Sequence, residues 1–204
     1  MISPSENELK VLDYLVRHFT ERHSINQLAK RVGLSAPGTM KLLAKLEGQR
    51  IVVREKRSNA VYYRINFANG QATKLIEFVL LQRDLNPYAR VQAEDLEKLK
   101  GTAIACILYG SVLAEGKDAR DIDAMLVLSD KSHERDLNTL QRELRDINIV
   151  KPKRIHDLVL TREDLVKNLT KGDEVVLEII RTGQVLWGSE VIVEAIHGAA
   201  GQPA

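Results

Sequence analysis

The chain has 204 residues, 44% of them hydrophobic and 28% charged, which is an ordinary globular composition and long enough for two small domains. No run approaches the roughly 18 consecutive apolar residues of a membrane span. Residues 1–8 have neither the basic start nor the apolar core of a secretory signal. These features argue against membrane and secreted classes, and they predict a cytoplasmic protein with no membrane partner.

The formal net charge of +2 is unevenly distributed. Residues 1–70 contain 12 Lys and Arg against 6 Asp and Glu, whereas the remainder contains 18 against 22. A basic first part suits a polyanion, and an acidic second part suits a bound metal ion.

Three helices are predicted in the first part. Residues 7–20 place apolar side chains at helical spacing, and Ser24 is a suitable N-cap for a second helix that ends at Gly33, where a tight turn favours positive φ. Ser35 caps the third helix, with Pro37 in its first turn. The predicted buried side of the third helix consists of Met40, Leu42, Leu43 and Leu46.

A β-hairpin follows these helices. Residues 51–55 and 61–65 are β-rich, and the polar residues 56–60 between them predict a turn with a basic tip.

This order of elements resembles the winged helix-turn-helix regulators of the ArsR and MarR type. The resemblance covers about residues 5–68, and its best local signals are residues 27–35 and 61–64. It implies that the third helix enters the major groove of double-stranded DNA and that the hairpin reaches phosphates. The implied DNA-binding residues are Ser35, Gly38, Thr39, Lys41, Lys45, Arg54, Lys56 and Arg57. The alternative is a winged helix that serves as a protein-interaction or dimerisation module.

Residues 70–100 are interpreted as a helical connector. Residues 72–83 are strongly helical and carry more apolar surface than a free linker would expose, before Asn86-Pro87 interrupts the pattern. This surface either packs against the hairpin or forms a homodimer contact, and homodimerisation is expected because half-site recognition usually needs two winged helices.

The second domain contains the residues that carry chemistry. An apolar strand runs into Gly110-Ser111, and a second apolar strand opens with Asp121 and Asp123. Because side chains alternate along a strand, the two carboxylates point to one side, where repulsion between them favours a divalent cation such as Mg²⁺. Gly110 allows close backbone approach, and the Ser111 hydroxyl can bind phosphate.

A third carboxylate, Asp157, lies in the strand-like run 154–160 and needs a charged partner there. His156 alternates in face with Asp157, so it is predicted to be structural or exposed.

The ordered set of Gly-Ser, Asp-x-Asp and a later strand carboxylate resembles the polymerase-beta-like nucleotidyltransferase superfamily, in particular its minimal members. The match covers roughly residues 101–190. It implies that Asp121 and Asp123 bind two Mg²⁺ ions, that Asp157 helps to hold one metal and activates the attacking hydroxyl, and that Gly110 and Ser111 hold the phosphates of a nucleotide, with ATP the default donor. Lys117 and Arg120 either add positive charge near the phosphates or belong to a solvated loop.

The predicted fold is therefore α+β. It consists of a winged helix-turn-helix domain at residues 1–69, the connector at residues 70–100 and a small mixed-sheet nucleotidyltransferase domain at residues 101–204. The leading functional hypothesis is transfer of a nucleoside monophosphate to a protein, RNA or other macromolecular acceptor. The alternatives are a transcriptional regulator that senses nucleotide through the second domain, and an antitoxin-like repressor that transfers AMP to a partner.

Overall fold

Helices and two separate β-sheets give the chain a mixed α+β architecture, as the sequence predicts. The computed structural model describes residues 4–57, 60–82 and 84–201. Two compact units meet between Val79 and Leu80. None of the described helices combines the length and the apolar composition that a membrane span requires.

The first unit contains helices α1 to α4 and a two-stranded sheet, and the second contains helices α5 to α10 and a four-stranded sheet. In chain order the first-unit elements are α1 (Glu6–Arg17), α2 (Ile25–Val32), α3 (Ala36–Gly48), β1 (Val52–Arg57), β2 (Ala60–Ile65) and α4 (Gly70–Leu80). The second-unit elements are α5 (Pro87–Leu96), β3 (Ala105–Tyr109), α6 (Ser111–Glu115), β4 (Ile122–Leu128), α7 (His133–Val150), β5 (Ile155–Thr161), α8 (Arg162–Lys171), α9 (Glu174–Thr182), β6 (Gln184–Trp187) and α10 (Ser189–Ala200).

Serine N-caps start the first three helices. Ser5, Ser24 and Ser35 each accept a hydrogen bond from the backbone N–H three residues further on. Each bond satisfies a donor that the first helical turn leaves free, and losing such a cap typically costs about 1 kcal/mol. The predicted caps Ser24 and Ser35 are confirmed, and so is the positive φ of Gly33, which is +71°.

The hairpin pairs more completely than predicted. Strands β1 and β2 are antiparallel, and their register runs from Val52 opposite Ile65 to Arg57 opposite Ala60. Lys56, Arg57 and Ala60, predicted to lie in the turn, therefore belong to the strands, because backbone pairing continues to the last residue before the tip. The predicted turn residues 58 and 59 lie outside the described part of the chain.

The buried side of α3 differs from the prediction at two positions. Met40 is 52% exposed, whereas the side chain of Thr39 is completely buried together with Leu43 and Leu46. Thr39 precedes Leu43 by four residues and Leu46 by seven, so helical periodicity places these three side chains on one face. The predicted contact of Thr39 with DNA is therefore corrected, since its side chain does not reach the surface.

Both helices of the predicted connector contribute to cores. Ala72 and Ile76 of α4 are fully buried, while its Phe78 is 47% exposed. Ala89 and Leu96 of α5 are fully buried in the core of the second unit. Because the units meet between Val79 and Leu80, the division of the chain falls within residues 70–100.

The four-stranded sheet has the order β5-β4-β3-β6. Strand β3 pairs antiparallel with both β4 and β6, whereas β4 and β5 are parallel. The sheet is therefore mixed, as predicted. The pairing sets Tyr109 opposite Asp123 and Asp123 opposite His156.

Both faces of this sheet bury apolar side chains, and one of them faces α5 and α7. The strand side chains on this face are buried against α5 and α7, and burial of each large aliphatic side chain contributes roughly 1.5–3 kcal/mol. They include Cys106, Leu108, Ala124, Leu126 and Ile155. Since side chains alternate along a strand, Asp123 between Ile122 and Ala124 points to the opposite face.

Gly188 and Gly172 allow a matched test of close packing around the sheet. Both have left-handed backbone, with φ of +72° and +73°, but a Cβ at Gly188 would lie 2.2 Å from the carbonyl oxygen of Ile104, whereas nothing lies within 4 Å of one at Gly172. Gly172→Ala is expected to cost about 1 kcal/mol for the backbone alone. Gly188→Ala should cost roughly 1–3 kcal/mol more because of the overlap. Urea unfolding of both variants measures the difference, and equal losses would contradict it.

Candidate functional site

Asp121 and Asp123 lie at the start of β4. Asp121 immediately precedes the strand and Asp123 is its second residue, and both are half-buried. The intervening Ile122 and the following Ala124 are buried. The alternation of strand side chains therefore brings the two carboxylates to one side of the sheet, opposite the face that packs against α5 and α7.

His156 joins these two carboxylates. In the parallel pairing of β4 with β5, His156 lies opposite Asp123, and residues paired in this way share a face of the sheet. The Nδ1 atom of His156 is 3.3 Å from Oδ2 of Asp121. One ligand atom from each of Asp121, Asp123 and His156 lies within 4.8 Å of the others. We call this group the carboxylate–histidine cluster.

Asp157 does not belong to the carboxylate–histidine cluster. It pairs with Ala124, whose side chain is buried on the face towards α5 and α7, so the strand alternation directs Asp157 away from Asp121 and Asp123. The expectation of three converging carboxylates is corrected in this respect. The sequence predicts that Asp157 shares a face with Ile155, and the strand register agrees with this. The sequence does not reveal that the residue paired with Asp123 is His156 rather than Asp157.

The electrostatics of the site favour a cation. Burial raises the pKa of Asp123, the negative charge of Asp121 raises it further, and His156 opposes this shift. Burial also raises the pKa of Tyr109, and the charges of Asp123 and Asp157 add to that effect. Asp157 thus acts on the site through its charge, although its carboxylate lies outside the cluster. Excess negative charge of this kind is relieved by a divalent cation.

Gly110 lies against the carboxylate of Asp123. Its φ is +78°, and a Cβ at this position would lie 2.2 Å from Oδ2 of Asp123. Only glycine fits both the backbone conformation and this separation, while the predicted approach of Gly110 to a phosphate stays a prediction. Ser111 follows it as the first residue of the short helix α6 and is half-buried.

Lys117 and Arg120 are both exposed in the segment that connects α6 to β4. The backbone carbonyl of Lys117 accepts a hydrogen bond from Nζ of Lys153, and Arg120 directly precedes Asp121. Their role in nucleotide binding stays a prediction.

An open cleft of about 820 Å³ adjoins Gly110. This volume is in the range of small-molecule sites, roughly 300–1,000 Å³, and apolar surface predominates in its lining. Sequence reasoning missed Tyr109, which lies between the cleft and Asp123; an aromatic residue directly before the glycine is the available signal. The lining residues are Tyr109, Gly110, Leu113, Ala114, Glu174, Val175, Glu178, Ile179 and Thr182.

The predicted DNA-binding residues of α3 occupy different environments. The hydroxyl of Ser35 accepts a hydrogen bond from the backbone of Gly38, and both residues are exposed, as is Lys41. Thr39 is buried. Nζ of Lys45 lies 2.8 Å from Oε1 of Glu8.

Glu8 is itself buried, with 3% of its side chain exposed. Although burial opposes ionisation, hydrogen bonds from Lys45 and from Ser5 hold the pKa of Glu8 below its ordinary value. Lys45 is therefore the counter-ion of a buried carboxylate in addition to being a predicted DNA contact.

The hairpin presents basic residues to solvent. Arg54 and Lys56 are exposed on β1. The backbone of Arg57 belongs to the same strand, while its side chain lies outside the described part of the structure. Glu55, which lies between Arg54 and Lys56, forms an ion pair with Arg64 of β2. The exposed charge of this hairpin is therefore mainly positive.

Comparison with known proteins identifies no family for this chain. No family model matches the chain, and no curated protein matches it. Among solved structures the chain is similar to MepR, a transcription regulator of the Staphylococcus aureus multidrug efflux pump MepA, at 16% identity. The similarity covers 70% of this chain and 79% of MepR, with a TM-score of 0.34. A similarity of this extent supports no statement about the fold or the activity of this chain.

Asp123→Asn tests the electrostatics of the cluster. The pKa of Asp123 is higher in the folded chain than in the unfolded chain, so ionisation of this carboxyl lowers the free energy of unfolding. The loss develops as the pH rises from the unfolded-state pKa through the folded-state pKa. Without divalent cation, the variant should therefore melt above the wild type at pH 7, and the difference should disappear near about pH 3, where the carboxyl is protonated. Thermal unfolding across this pH range measures it.

Magnesium should make the wild type melt above Asp123→Asn, because the wild type keeps both carboxylates that would bind the ion. A ligand at 100 times its Kd stabilises the folded chain by about 2.7 kcal/mol. Asp118→Asn, which neutralises an exposed carboxylate in the same connecting segment, is the control and should follow the wild type. A variant that is less stable than the wild type at pH 7 without metal would contradict this account of the site.

Proposed function

We propose that this chain is a DNA-binding transcription regulator whose second unit binds a nucleotide together with a divalent cation. The observation that carries the proposal is the approach of Gly110 to the carboxylate of Asp123 beside Asp121. The glycine lets the Asp123 carboxylate lie against the backbone, and the two adjacent carboxylates supply charge for a cation whose remaining ligands would be phosphate oxygens.

Asp121 and Asp123 would hold the cation. Mg²⁺ prefers oxygen ligands and commonly binds through one or two carboxylates plus substrate phosphates, which matches these two residues. His156 lies at the edge of the cluster and supplies a nitrogen ligand that would favour Mn²⁺ or Zn²⁺ over Mg²⁺ if it bound the same ion. The apolar cleft beside Gly110 would accept the sugar and base.

The first unit would bind double-stranded DNA. Three helices followed by an antiparallel hairpin, with the sharp turn at Gly33 between α2 and α3, support the winged helix-turn-helix interpretation. Lys41 of α3 and Arg54 and Lys56 of β1 supply exposed positive charge for phosphates. Two copies of the chain would bind the two half-sites of an operator.

Nucleotidyl transfer is the second candidate function. In such a reaction an acceptor hydroxyl on a protein or RNA attacks the α-phosphorus, the new P–O bond replaces the bond to pyrophosphate, and the hydroxyl proton passes to a base. The electrostatic effect of Asp157 on Tyr109 favours this candidate, because it places a further carboxylate charge near the site. Nucleotide binding is proposed ahead of nucleotidyl transfer because Asp157, the carboxylate expected to activate the attacking hydroxyl, lies outside the carboxylate–histidine cluster.

Gly110→Ala tests nucleotide binding. The added Cβ would overlap the carboxylate of Asp123, so the affinity for nucleotide in the presence of Mg²⁺ should fall at least tenfold. Isothermal titration calorimetry with ATP, GTP, CTP and UTP on the full chain measures the affinity. Gly172→Ala, which also places alanine in left-handed backbone but meets no neighbour, should bind as the wild type does.

The outcomes separate the two candidates. The proposal is supported if the wild type binds nucleotide and if Gly110→Ala weakens this binding while Gly172→Ala does not. Failure of all four nucleotides to bind to the wild type would overturn it. Incubation with α-labelled nucleotide then shows whether label passes to the chain, to RNA or to another protein. Label that depends on Asp121 and Asp123 would establish transfer, whereas binding without label supports a regulator that senses nucleotide.

The basic hairpin gives an independent test of DNA binding. Arg54→Ala and Lys56→Ala should each weaken binding to a duplex from the region upstream of the gene, and each should reduce the salt-dependence slope of log K by about 0.9 per lost phosphate contact. Fluorescence anisotropy at several salt concentrations measures both. Lys10→Ala removes the same charge from α1, where Lys10 pairs with Glu6, and should leave the slope unchanged. Equal slopes in all three variants would exclude the hairpin as the phosphate contact.

A further inference from the structure

Two histidines and a glutamate converge in the segment between α1 and α2. His18 directly follows α1, His23 directly precedes the N-cap of α2, and Glu21 lies between them. One ligand atom from each of the three residues lies within 4.8 Å of the others. This group is unrelated to the carboxylate–histidine cluster, which belongs to the second unit.

The distances in this group are close to those of a metal centre. Nδ1 of His18 is 2.9 Å from Oε1 of Glu21, and Nε2 of His23 is 3.2 Å from Oε2 of the same carboxylate. Ligands about 2.0–2.1 Å from a tetrahedral Zn²⁺ ion are about 3.3 Å apart. Both nitrogen-to-carboxylate distances therefore lie within a few tenths of an ångström of this separation, and all three ligand atoms lie within 4.8 Å of one another.

The surroundings hold both imidazoles in place. The ring of His18 stacks on Tyr14 with centroids 4.1 Å apart, and the Tyr14 ring also packs on that of His23 with centroids 5.1 Å apart. The side chains of His18 and His23 are 24% and 11% exposed. A group that is already positioned loses less conformational freedom when it binds a ligand.

The protonation state of His23 also suits a metal ligand. Burial lowers the pKa of His23 and outweighs the opposing charge of Glu21, with further lowering from His18 and Arg31. A metal binds the neutral imidazole, so a lowered pKa keeps the ligand atom available at neutral pH.

The chemistry of the donor atoms identifies the class of ion. Two imidazole nitrogens with one carboxylate suit Zn²⁺ and neighbouring first-row transition metals, whereas Mg²⁺ and Ca²⁺ prefer oxygen ligands throughout. We propose that His18, Glu21 and His23 form a binding site for a transition metal ion of the Zn²⁺ class, with water in the remaining position. We call it the interhelix metal site.

An ion in the interhelix metal site would join the end of α1 to the start of α2. Metal that binds the folded chain and not the unfolded chain stabilises it in proportion to RT ln(1 + [metal]/Kd). The ion would therefore stabilise the segment that leads into the helix-turn-helix, which goes beyond the nucleotide and DNA binding proposed above and does not depend on either.

The test uses the full chain with Asp121→Asn and Asp123→Asn, so that the carboxylate–histidine cluster contributes little to metal binding. Calorimetric titration with Zn²⁺ should give one equivalent bound. Adding His23→Gln or Glu21→Gln should lower the affinity at least tenfold, because each removes one of three protein ligands. His197→Gln, which changes an exposed histidine of α10, is the matched control and should bind as the parent does.

Thermal unfolding and Co²⁺ spectra guard against loss of folding as an explanation. Without metal, the Glu21→Gln variant should melt cooperatively; with Zn²⁺ the parent should gain thermal stability and the variant should not. Co²⁺ bound to the parent should show visible absorption that the variant lacks. Absence of Zn²⁺ binding in the parent, or equal binding by the parent and by both ligand variants, would overturn the interhelix metal site.

Discussion

The antiparallel pairing of β3 with β4 is the constraint on which the candidate site depends. It sets Tyr109 opposite Asp123, and the next residue, Gly110, then lies against the Asp123 carboxylate. A larger residue at this position would displace the carboxylate or break the pairing. The same pairing places Asp123 beside Tyr109, whose pKa its charge raises and which also lines the adjoining cleft.

A second pairing decides which groups can act together. Because β4 and β5 are parallel and in fixed register, His156 faces the two aspartates and Asp157 faces the other way. A shift of one residue would exchange these positions, since the side-chain period of a strand is two. The chemistry of the site therefore depends on a register, which is a property of the assembled sheet.

The reach of sequence reasoning differs between local and non-local features. Ser24, Gly33 and Ser35 could be assigned because caps and left-handed turns depend on the residue itself and its immediate neighbours. The pairing of Asp123 with His156 could not, because nothing local specifies the register of two strands about 30 residues apart. The resemblance to winged helix-turn-helix regulators implies a DNA contact for Thr39, whereas its helical spacing to Leu43 and Leu46 places its side chain in the core. The sequence alone does not single out His18, Glu21 and His23, because their spacing matches no common metal-binding motif.

The ion pair between Lys45 and Glu8 limits how α3 can evolve. Without Lys45 the buried Glu8 carboxylate would keep its hydrogen bonds from Ser5 but lose the one from Lys45, and losing a hydrogen bond to a charged group costs about 1.5–3 kcal/mol. Under the proposed DNA-binding function, a substitution at Lys45 that adapted α3 to another operator would therefore also have to replace a structural partner of α1. Substitution is consequently easier at exposed positions such as Lys41, and position 45 is expected to stay basic among homologues that retain a glutamate at position 8.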